Sequence, residues 1–149
     1  MTAPAELVEL DTRCVDELVR MWRASFETAV GIVDPHPIEG QKRYFMEEVV
    51  PRNTVRVARV AGEMAGFVAA SPESVAQLYV RLGFQRRGIG RQMLDWAKDQ
   101  SDGSLWLYTF ARNAGARAFY ERNGFVAVAH GFEPTWQLDD VRYEWRDRC

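Results

Sequence analysis

The stretch QRRGIGR at residues 85–91 places two glycines and three arginines where a helical pattern begins. A helix that begins at Gly88 leaves its first four backbone N–H groups without partners inside the helix. Together with the helix dipole, these groups form a binding site for a phosphate or another anion. Gly88 and Gly90 carry no Cβ, so the backbone can approach an oxygen atom closely, and the arginines add positive charge. The stretch therefore predicts a site for a bound pyrophosphate.

Two familiar glycine-rich phosphate sites are excluded by single residues. In a P-loop a lysine follows the second glycine, but here Ile89 follows Gly88. A dinucleotide-binding fingerprint needs a third small residue, but Met93 stands at that position after Gly88 and Gly90. A short glycine motif alone is weak evidence, and the alternative that these glycines only end a loop with solvated arginines stays open at this point.

The first half of the chain predicts two helices and then a run of strands. Residues 7–10 form a short apolar stretch typical of a first strand. Apolar residues recur at helical spacing over Val15–Val30, where Gly31 ends the pattern, and a second helix is predicted over Ile38–Val49. Residues 54–60, TVRVARV, alternate as a half-buried strand does. MAGFVAA and SVAQLYV follow after short turns, which predicts an antiparallel meander.

The second half predicts a strand–helix–strand unit around the glycine-rich stretch. Apolar residues mark one helical face over residues 89–97, and LWLYTF at residues 105–110 is a continuous apolar run. Such a run is typical of a strand buried on both faces, and this order of elements implies a parallel pair with a right-handed crossover. A short helix from Asn113 ends at Asn123-Gly124, and FVAVAHGF and VRYEWR complete the strands. The fold class is therefore α+β: a mixed, mostly antiparallel sheet with helices on its faces.

Composition limits the other classes of function. The chain of 149 residues is expected to form a single domain, residues 1–149, that buries roughly 70% of its unfolded surface. A net charge of −2 gives no overall attraction to nucleic acid or to a membrane surface. No apolar run approaches the ~20 residues of a membrane span. The first ten residues, MTAPAELVEL, lack the pattern of a signal peptide, so the expected compartment is the cytoplasm.

The two cysteines, Cys14 and Cys149, stand near opposite ends of the chain. Their number and spacing suit neither a metal site nor a disulfide framework. We expect Cys14 to be a small buried hydrophobic residue and Cys149, the last residue, to be frayed. Neither is therefore a candidate nucleophile, and no metal is expected.

Two longer motifs resemble those of a known enzyme family. LYVRLGFQRRGIGRQML and the later ARNAGARAFYERNGF closely resemble the motifs of the GCN5-related N-acetyltransferases, the GNAT superfamily. Gln85, Gly88 and Gly90 match the family's Gln/Arg-x-x-Gly-x-Gly/Ala motif. The second motif is matched by Asn113, Phe119, Tyr120, Gly124 and Phe125. The resemblance spans residues 54–128 and implies the GNAT fold, with about six or seven strands, helices on both faces, and parallel fourth and fifth strands that splay apart.

The resemblance implies acetyl-CoA as the acetyl donor and an amine as the acceptor, with direct transfer and no metal. The loop around Gly88 would hold the pyrophosphate, and the end of the fourth strand would bind the pantetheine arm as an added strand does. Asn113 would hydrogen-bond to the pantetheine or serve only as a helix N-cap. The residues that the resemblance assigns to acetyl-CoA are Leu78, Tyr79, Val80, Gln85, Arg86, Arg87, Gly88, Ile89, Gly90, Arg91, Asn113, Phe119 and Tyr120.

Tyr120 is the general acid that the resemblance implies. Acetyl transfer from a thioester expels a thiolate, whose thiol has a reference pKa of roughly 8.5, against about 10 for tyrosine. A phenol can therefore hydrogen-bond to the leaving sulfur or protonate it without being lost as an anion. The alternative is that Tyr120 only packs beside Phe119.

The base that deprotonates the acceptor amine is not assigned by the resemblance. Many members of the family use a glutamate on the fourth strand, but Ser74 stands about there in this chain, with Glu73 beside it. The substitutes that the sequence offers are Glu27, Tyr79, His36 and His130. Residues of these types are more often structural or solvated than catalytic, so the base stays open.

The acceptor site is predicted in GIVDPHP and HGFEPTWQLDD, the loops that usually form it in this family. Acidic and aromatic side chains of the second loop would receive a cationic amine against an aromatic wall. They are Glu133, Asp139, Asp140, Trp136 and Phe132. The alternative is that the acidic side chains of this loop are only solvated.

Two other classes of function are alternatives to an acetyltransferase. One is a non-catalytic acyl-CoA-binding sensor of the same fold, against which the presence of Tyr120 argues. The other is a nucleic-acid module that uses Arg81 and the arginines of the loop, which the net charge of −2 disfavours. Dimers are common among such enzymes, so a homodimer is left open.

Overall fold

The computed structural model describes residues 4–148, which contain seven strands and four α-helices. The strands are β1 (Glu6–Glu9), β2 (Thr54–Val60), β3 (Glu63–Ala70), β4 (Val75–Val80), β5 (Ser104–Phe110), β6 (Val126–Glu133) and β7 (Leu138–Arg146). The helices are α1 (Val15–Val30), α2 (Ile38–Tyr44), α3 (Ile89–Asp99) and α4 (Ala114–Arg122). Short 3-10 turns lie at Thr12–Cys14 and Val50–Arg52.

The strands form two antiparallel sheets that meet between β4 and β5. The first sheet has the order β1-β2-β3-β4 and the second the order β5-β7-β6. A single parallel bridge between Ser74 and Trp106 joins them, and there the Trp106 N–H donates to the Glu73 carbonyl at 3.1 Å. Beyond this bridge β4 and β5 are not paired. The mixed, mostly antiparallel α+β fold with splayed fourth and fifth strands is thus confirmed.

Helices cover both faces of the first sheet and build two cores. On one face, α1 packs Leu18 and Trp22 against Phe67 of β3. On the other face, α3 packs Met93 and Leu94 into a core shared with β5 and β7. Because each helix presents its apolar residues every three to four positions, one stripe of each is buried. The two cores hold β4 between them.

The predicted bounds of the first helix are confirmed, whereas the second helix is shorter than predicted. Gly31 ends α1 in the left-handed conformation and donates its N–H to the Glu27 carbonyl at 2.8 Å. The α-helix predicted over Ile38–Val49 stops at Tyr44 and continues as a π-helical turn over Phe45–Val49. The wider turn buries both Phe45 and Val49, and Pro51 has no N–H with which to continue the helix.

The prediction that residues 105–110 are buried on both faces is wrong. Leu105 and Leu107 are buried, but Trp106 is 37% and Tyr108 55% exposed. No described helix covers this face of β5, and the two aromatic rings pack instead against the Arg142 guanidinium at 4.7 and 5.8 Å. The apolar run therefore predicted more burial than β5 has, because aromatic residues also occur at half-exposed positions of strands.

Two further expectations need correction. The segment predicted as a loop between the last strands is mostly strand, since β6 reaches Glu133, β7 begins at Leu138, and only residues 134–137 turn. Cys14 is half-buried rather than buried, and its Sγ accepts a hydrogen bond from Arg59 at 3.5 Å. Cys149 lies outside the described residues. No helix within residues 4–148 has the length and apolar character to cross a membrane.

Candidate active site

The loop between β4 and α3 presents an open helix N-terminus. Gly88 precedes α3 with φ +79°, a left-handed conformation that favours glycine. No side chain within residues 4–148 caps the helix, so the N–H groups of its first turn are available to an anion. A Cβ at Gly88 would meet nothing within 4 Å, which means that this glycine faces open space.

Gly90 has a different role from Gly88. A Cβ at Gly90 would lie 3.3 Å from two ring carbons of Phe119 and 3.6 Å from Cγ2 of Val80. The residue therefore lets the first turn of α3 pack closely against α4 and the end of β4. The sequence suggested one reason for both glycines, close approach to an oxygen, which stays a prediction; the close packing of Phe119 gives a second reason for Gly90.

The positive charge of this loop is not neutralised by the protein. Arg86 and Arg87 are exposed, and neither makes an ion pair with any residue between positions 4 and 148. Arg91 lies 3.8 Å from Asp95, and both side chains are exposed, so this pair contributes little. Arg81, in contrast, donates to the Met64 carbonyl at 2.7 Å and pairs with Glu17, and is committed to the fold.

A cavity of about 770 Å³ lies where β4 and β5 separate. Its walls include residues of both strands, of α1 and α2 on one face, of α4 on the other, and of the β6–β7 turn. The cavity therefore joins the two faces of the sheet. Its volume is that of a typical small-molecule site.

The edge of β4 presents free backbone groups to this gap. The Arg81 N–H donates to the Ala65 carbonyl of β3 at 2.8 Å. Alternate residues of a strand direct their backbone groups to opposite sides, so those of Leu78 and Val80 point away from β3. The Ser25 hydroxyl already donates to the Val80 carbonyl at 3.0 Å. The remaining groups are available to a bound chain, and the role of residues 78–80 in binding stays a prediction.

Tyr120 combines a buried ring with a hydroxyl that has no hydrogen-bond partner among residues 4–148. The residue is 7% exposed, and its ring packs against Phe119 and Phe125 at 5.1 and 5.5 Å. It also lines the cavity, and its hydroxyl makes no hydrogen bond within the described part of the chain. Burial raises the pKa of Tyr120 well above its usual value, and the nearby Tyr79 adds to the shift. The hydroxyl is therefore protonated at neutral pH and can donate to a group in the cavity.

Tyr79 and Asn113 contribute donors rather than bases. Burial raises the pKa of Tyr79 to about 12, which a hydrogen bond with Trp22 only partly offsets, so the phenol is protonated at neutral pH. Oδ1 of Asn113 accepts from the Ala116 N–H at 3.1 Å and caps α4, as predicted. The Asn113 amide nitrogen has no hydrogen bond among residues 4–148, and the side chain lines the cavity.

Some of the candidate bases line the cavity and others lie outside its described wall. Ser74 hydrogen-bonds to Ser71, and Glu27 accepts the Asp34 N–H at 2.6 Å. His130 lies on β6, and neither it, Ser74 nor Glu27 belongs to the described cavity wall. His36 is part of that wall, and its Nδ1 lies 2.7 Å from Asp34.

The predicted acceptor residues divide between two cavities. Glu133, Trp136 and Asp140 line the large cavity, whereas Phe132 and Asp139 line a separate one of about 310 Å³. Glu133 accepts the Trp136 N–H at 2.6 Å and so holds the β6–β7 turn. Burial acts to raise the pKa of Glu133, but hydrogen bonds from the turn lower it overall.

Residues 51–127 match the model of the acetyltransferase (GNAT) domain, and this match identifies the family. This chain belongs to the GNAT family. The matched residues run from the turn before β2 to the start of β6, so they include β4, the loop with Gly88, and α4 with Tyr120.

Relatives and solved structures extend the similarity of this chain beyond the matched residues, to 92–99% of its length. An uncharacterized N-acetyltransferase of the pepI 3' region of Lactobacillus delbrueckii subsp. lactis is 23% identical, covering 92% of this chain and 91% of the relative. The PaiA N-acetyltransferase of Thermoplasma acidophilum, solved in complex with coenzyme A, has a TM-score of 0.76 at 18% identity, covering 97% of this chain and 99% of that one. YncA of Salmonella typhimurium, solved with acetyl-CoA, has a TM-score of 0.73 at 14% identity, covering 99% and 100%. At these identities the structures establish the fold.

Sequence reasoning missed two residues that shape the site of this GNAT domain. Ser25 is a buried polar residue on the apolar face of α1, and its interruption of that face was the available signal. Arg23 approaches Asp34 at 3.5 Å across the loop between α1 and α2, and nothing in the local sequence pairs these two residues.

Proposed function

We propose that this GNAT domain transfers an acetyl group from acetyl-CoA directly to a primary amine of a small molecule, a peptide or a protein. The observation that carries the proposal is the cavity between β4 and β5. One wall holds Tyr120 and Asn113, and the opposite wall holds aromatic and acidic side chains from α1, the loop after it and the β6–β7 turn. A donor that lies along β4 and an acceptor from the other face would therefore meet in one space.

The residues present fit acetyl-CoA, which supplies a reactive thioester when bound. The open N–H groups at Gly88 and the unpaired charges of Arg86 and Arg87 suit a pyrophosphate. The edge of β4 at residues 78–80 suits the amide-rich pantetheine arm, to which the Asn113 amide nitrogen would donate. Solved structures of the same fold with coenzyme A and acetyl-CoA support this assignment.

Direct transfer requires the chain to position the acceptor and to assist the departing sulfur. The amine nitrogen bonds to the acetyl carbon, and the carbon–sulfur bond breaks. The Tyr120 hydroxyl, protonated and without a hydrogen bond to any described residue, would donate to that sulfur. Cys14 lies outside the described wall of the cavity, so the structure offers no thiol there for a covalent intermediate.

The charges of the cavity favour a cationic acceptor. Among the described wall residues three carry carboxylates and none is lysine or arginine; the three are Asp34, Glu133 and Asp140. Asp34 and Glu133 already hold hydrogen bonds to the protein. Asp140 makes no ion pair within residues 4–148, and its Oδ1 lies over Gly131 of β6. Asp140 is therefore the carboxylate with which an incoming ammonium group would pair.

The test measures binding and transfer separately. Calorimetry with acetyl-CoA should show saturable binding, and a panel of amines should release free thiol. Binding without thiol release from any amine would indicate the alternative function of a non-catalytic acyl-CoA sensor. Absence of binding by folded protein would overturn both functions.

The acceptor assignment is tested with Asp140→Asn and the matched control Asp139→Asn. The two residues are adjacent on β7, but Asp139 lines the smaller, separate cavity. We expect Asp140→Asn to raise KM for a cationic amine about tenfold, equivalent to ~1.4 kcal/mol, while Asp139→Asn leaves it unchanged. Equal KM values for the two variants, or a preference of the wild type for acidic acceptors, would contradict the assignment.

A further inference from the structure

We infer that His36 is the base that removes a proton from the acceptor amine, and that Asp34 and Arg23 position it. This inference rests on the proposed acetyl transfer. It assigns a residue to deprotonation of the amine, for which β4 offers no glutamate. Ser74, which stands about where many members of the family carry a glutamate, hydrogen-bonds to Ser71 at 3.2 Å.

The hydrogen bonds of His36 select the tautomer that a base needs. Oδ1 of Asp34 lies 2.7 Å from Nδ1 of the ring and also accepts the His36 backbone N–H at 2.9 Å. A carboxylate only accepts, so Nδ1 carries the proton. In the neutral ring Nε2 then holds a lone pair, and it makes no hydrogen bond within residues 4–148.

Asp34 is itself held by two residues of α1, through an ion pair of its side chain and a hydrogen bond of its backbone. Its side chain is 7% exposed, and Nη2 of Arg23 lies 3.5 Å from its Oδ2. Its backbone N–H donates to Glu27 at 2.6 Å, and Nε of Arg23 donates to Gln41 of α2 at 2.9 Å. The loop between α1 and α2 is thereby tied to both helices. His36 is thus oriented by Asp34, and Asp34 is oriented by Arg23. A catalytic histidine is commonly oriented by a third group in this way.

His36 also has the access that proton transfer requires. The ring meets Trp136 edge to face at 5.2 Å and lines the same cavity as Tyr79 and Tyr120. Its side chain is 53% exposed. An amine in the cavity can therefore reach Nε2 directly or through a water molecule, and the proton can leave to solvent.

The atoms and charges of the acetyl transfer balance without any further reactant. An ammonium group gives one proton to Nε2, and the neutral amine nitrogen attacks the acetyl carbon. A nitrogen–carbon bond forms and the carbon–sulfur bond breaks, while Tyr120 gives its proton to the sulfur. The second amine proton restores the Tyr120 hydroxyl, and His36 releases its proton to solvent. The products are the N-acetyl amine, the free thiol and one proton.

The positioning role of Asp34 is tested with Asp34→Asn. The Asp34 carboxylate accepts the proton of Nδ1, whereas an amide in its place can donate to Nδ1 and favour the tautomer with the proton on Nε2. We therefore expect Asp34→Asn to lower kcat/KM for the amine while acetyl-CoA affinity is unchanged.

The experiment compares His36→Gln with His130→Gln, which changes the other histidine of the chain on exposed β6. We expect His36→Gln to lower kcat/KM about 100-fold at neutral pH, with acetyl-CoA affinity unchanged. Added imidazole should partly restore His36→Ala. His130→Gln should behave as the wild type.

Two results would overturn the inference, and they are distinguishable. If the wild type acetylates amines while His36→Gln keeps kcat/KM within about threefold, His36 is not the base. If the wild type binds acetyl-CoA and acetylates no amine, the proposed function fails together with this step. Circular dichroism and Tm of each variant establish that the fold is retained.

Discussion

Removal of one oxygen atom, in Tyr120→Phe, separates the chemical role of this residue from its structural role. The ring packs against Phe119, Phe125 and Tyr143, and phenylalanine keeps these contacts. The hydroxyl has no hydrogen-bond partner among the described residues, so its loss leaves none of their polar groups unsatisfied. We therefore expect the free energy of unfolding of Tyr120→Phe to match that of the wild type.

The expected effect on turnover is large. A positioned general acid contributes about 100-fold or more to the rate, and each tenfold change corresponds to ~1.36 kcal/mol of activation free energy. Loss of the Tyr120 proton donor should thus lower kcat about 100-fold, or by ~2.7 kcal/mol. Acetyl-CoA affinity should be nearly unchanged, because the donor acts on sulfur that becomes negative only during transfer.

Tyr143→Phe provides the matched control. Its hydroxyl donates to Glu121 at 2.6 Å and accepts from Arg117 at 3.1 Å, and the residue is buried. This variant should lose about 1 kcal/mol or more of stability, lowering Tm by roughly 2–4 °C per kcal/mol, with kcat close to that of the wild type. The two tyrosines should therefore show opposite patterns.

Thiol release under saturating acetyl-CoA and amine measures kcat, and calorimetry measures affinity. Tyr120→Phe with kcat within about threefold of the wild type would refute the role of the hydroxyl as general acid. A parallel loss of acetyl-CoA affinity would instead assign the hydroxyl to binding. Either result would leave the fold and the family unaffected.

The remaining predictions concern the loop that precedes α3. Arg86→Ala combined with Arg87→Ala should weaken acetyl-CoA binding about tenfold and reduce its dependence on salt, as measured by calorimetry at two ionic strengths. Arg52→Ala, an exposed arginine next to β2 at the opposite end of the first sheet, should have no effect, and an equal loss there would point to a general effect of net charge. Gly90→Val should lower stability by about 1–3 kcal/mol in a thermal melt, because its side chain would overlap Phe119, and a Tm equal to that of the wild type would contradict the packing role of Gly90.

Local patterns predicted those parts of the fold that local chemistry determines. Gly31 ended α1 where the apolar pattern stopped, and Asn113 capped α4 through its side chain. The loop around Gly88 also has the open helix start that its residues implied. In each case the determining groups lie within one helical turn of each other, so a single sequence contains the information.

The features that were missed depend on residues far apart in the chain. Trp106 and Tyr108 are half-exposed because no helix covers that face, which their own apolar run cannot reveal. Arg23 meets Asp34 only because the chain folds back after α1. The separate roles of Gly88 and Gly90 likewise became visible only with Phe119 in place.

The single bridge between Ser74 and Trp106 has a consequence for how the domain responds to its ligand. Two half-sheets that share so few hydrogen bonds depend on helices and side chains to stay in register. A molecule that hydrogen-bonds along the open edge of β4 adds interactions that the unfolded chain lacks, so it stabilises the native state by mass action. Resistance of this protein to heat and proteolysis is therefore expected to follow the concentration of the compound that fills the gap.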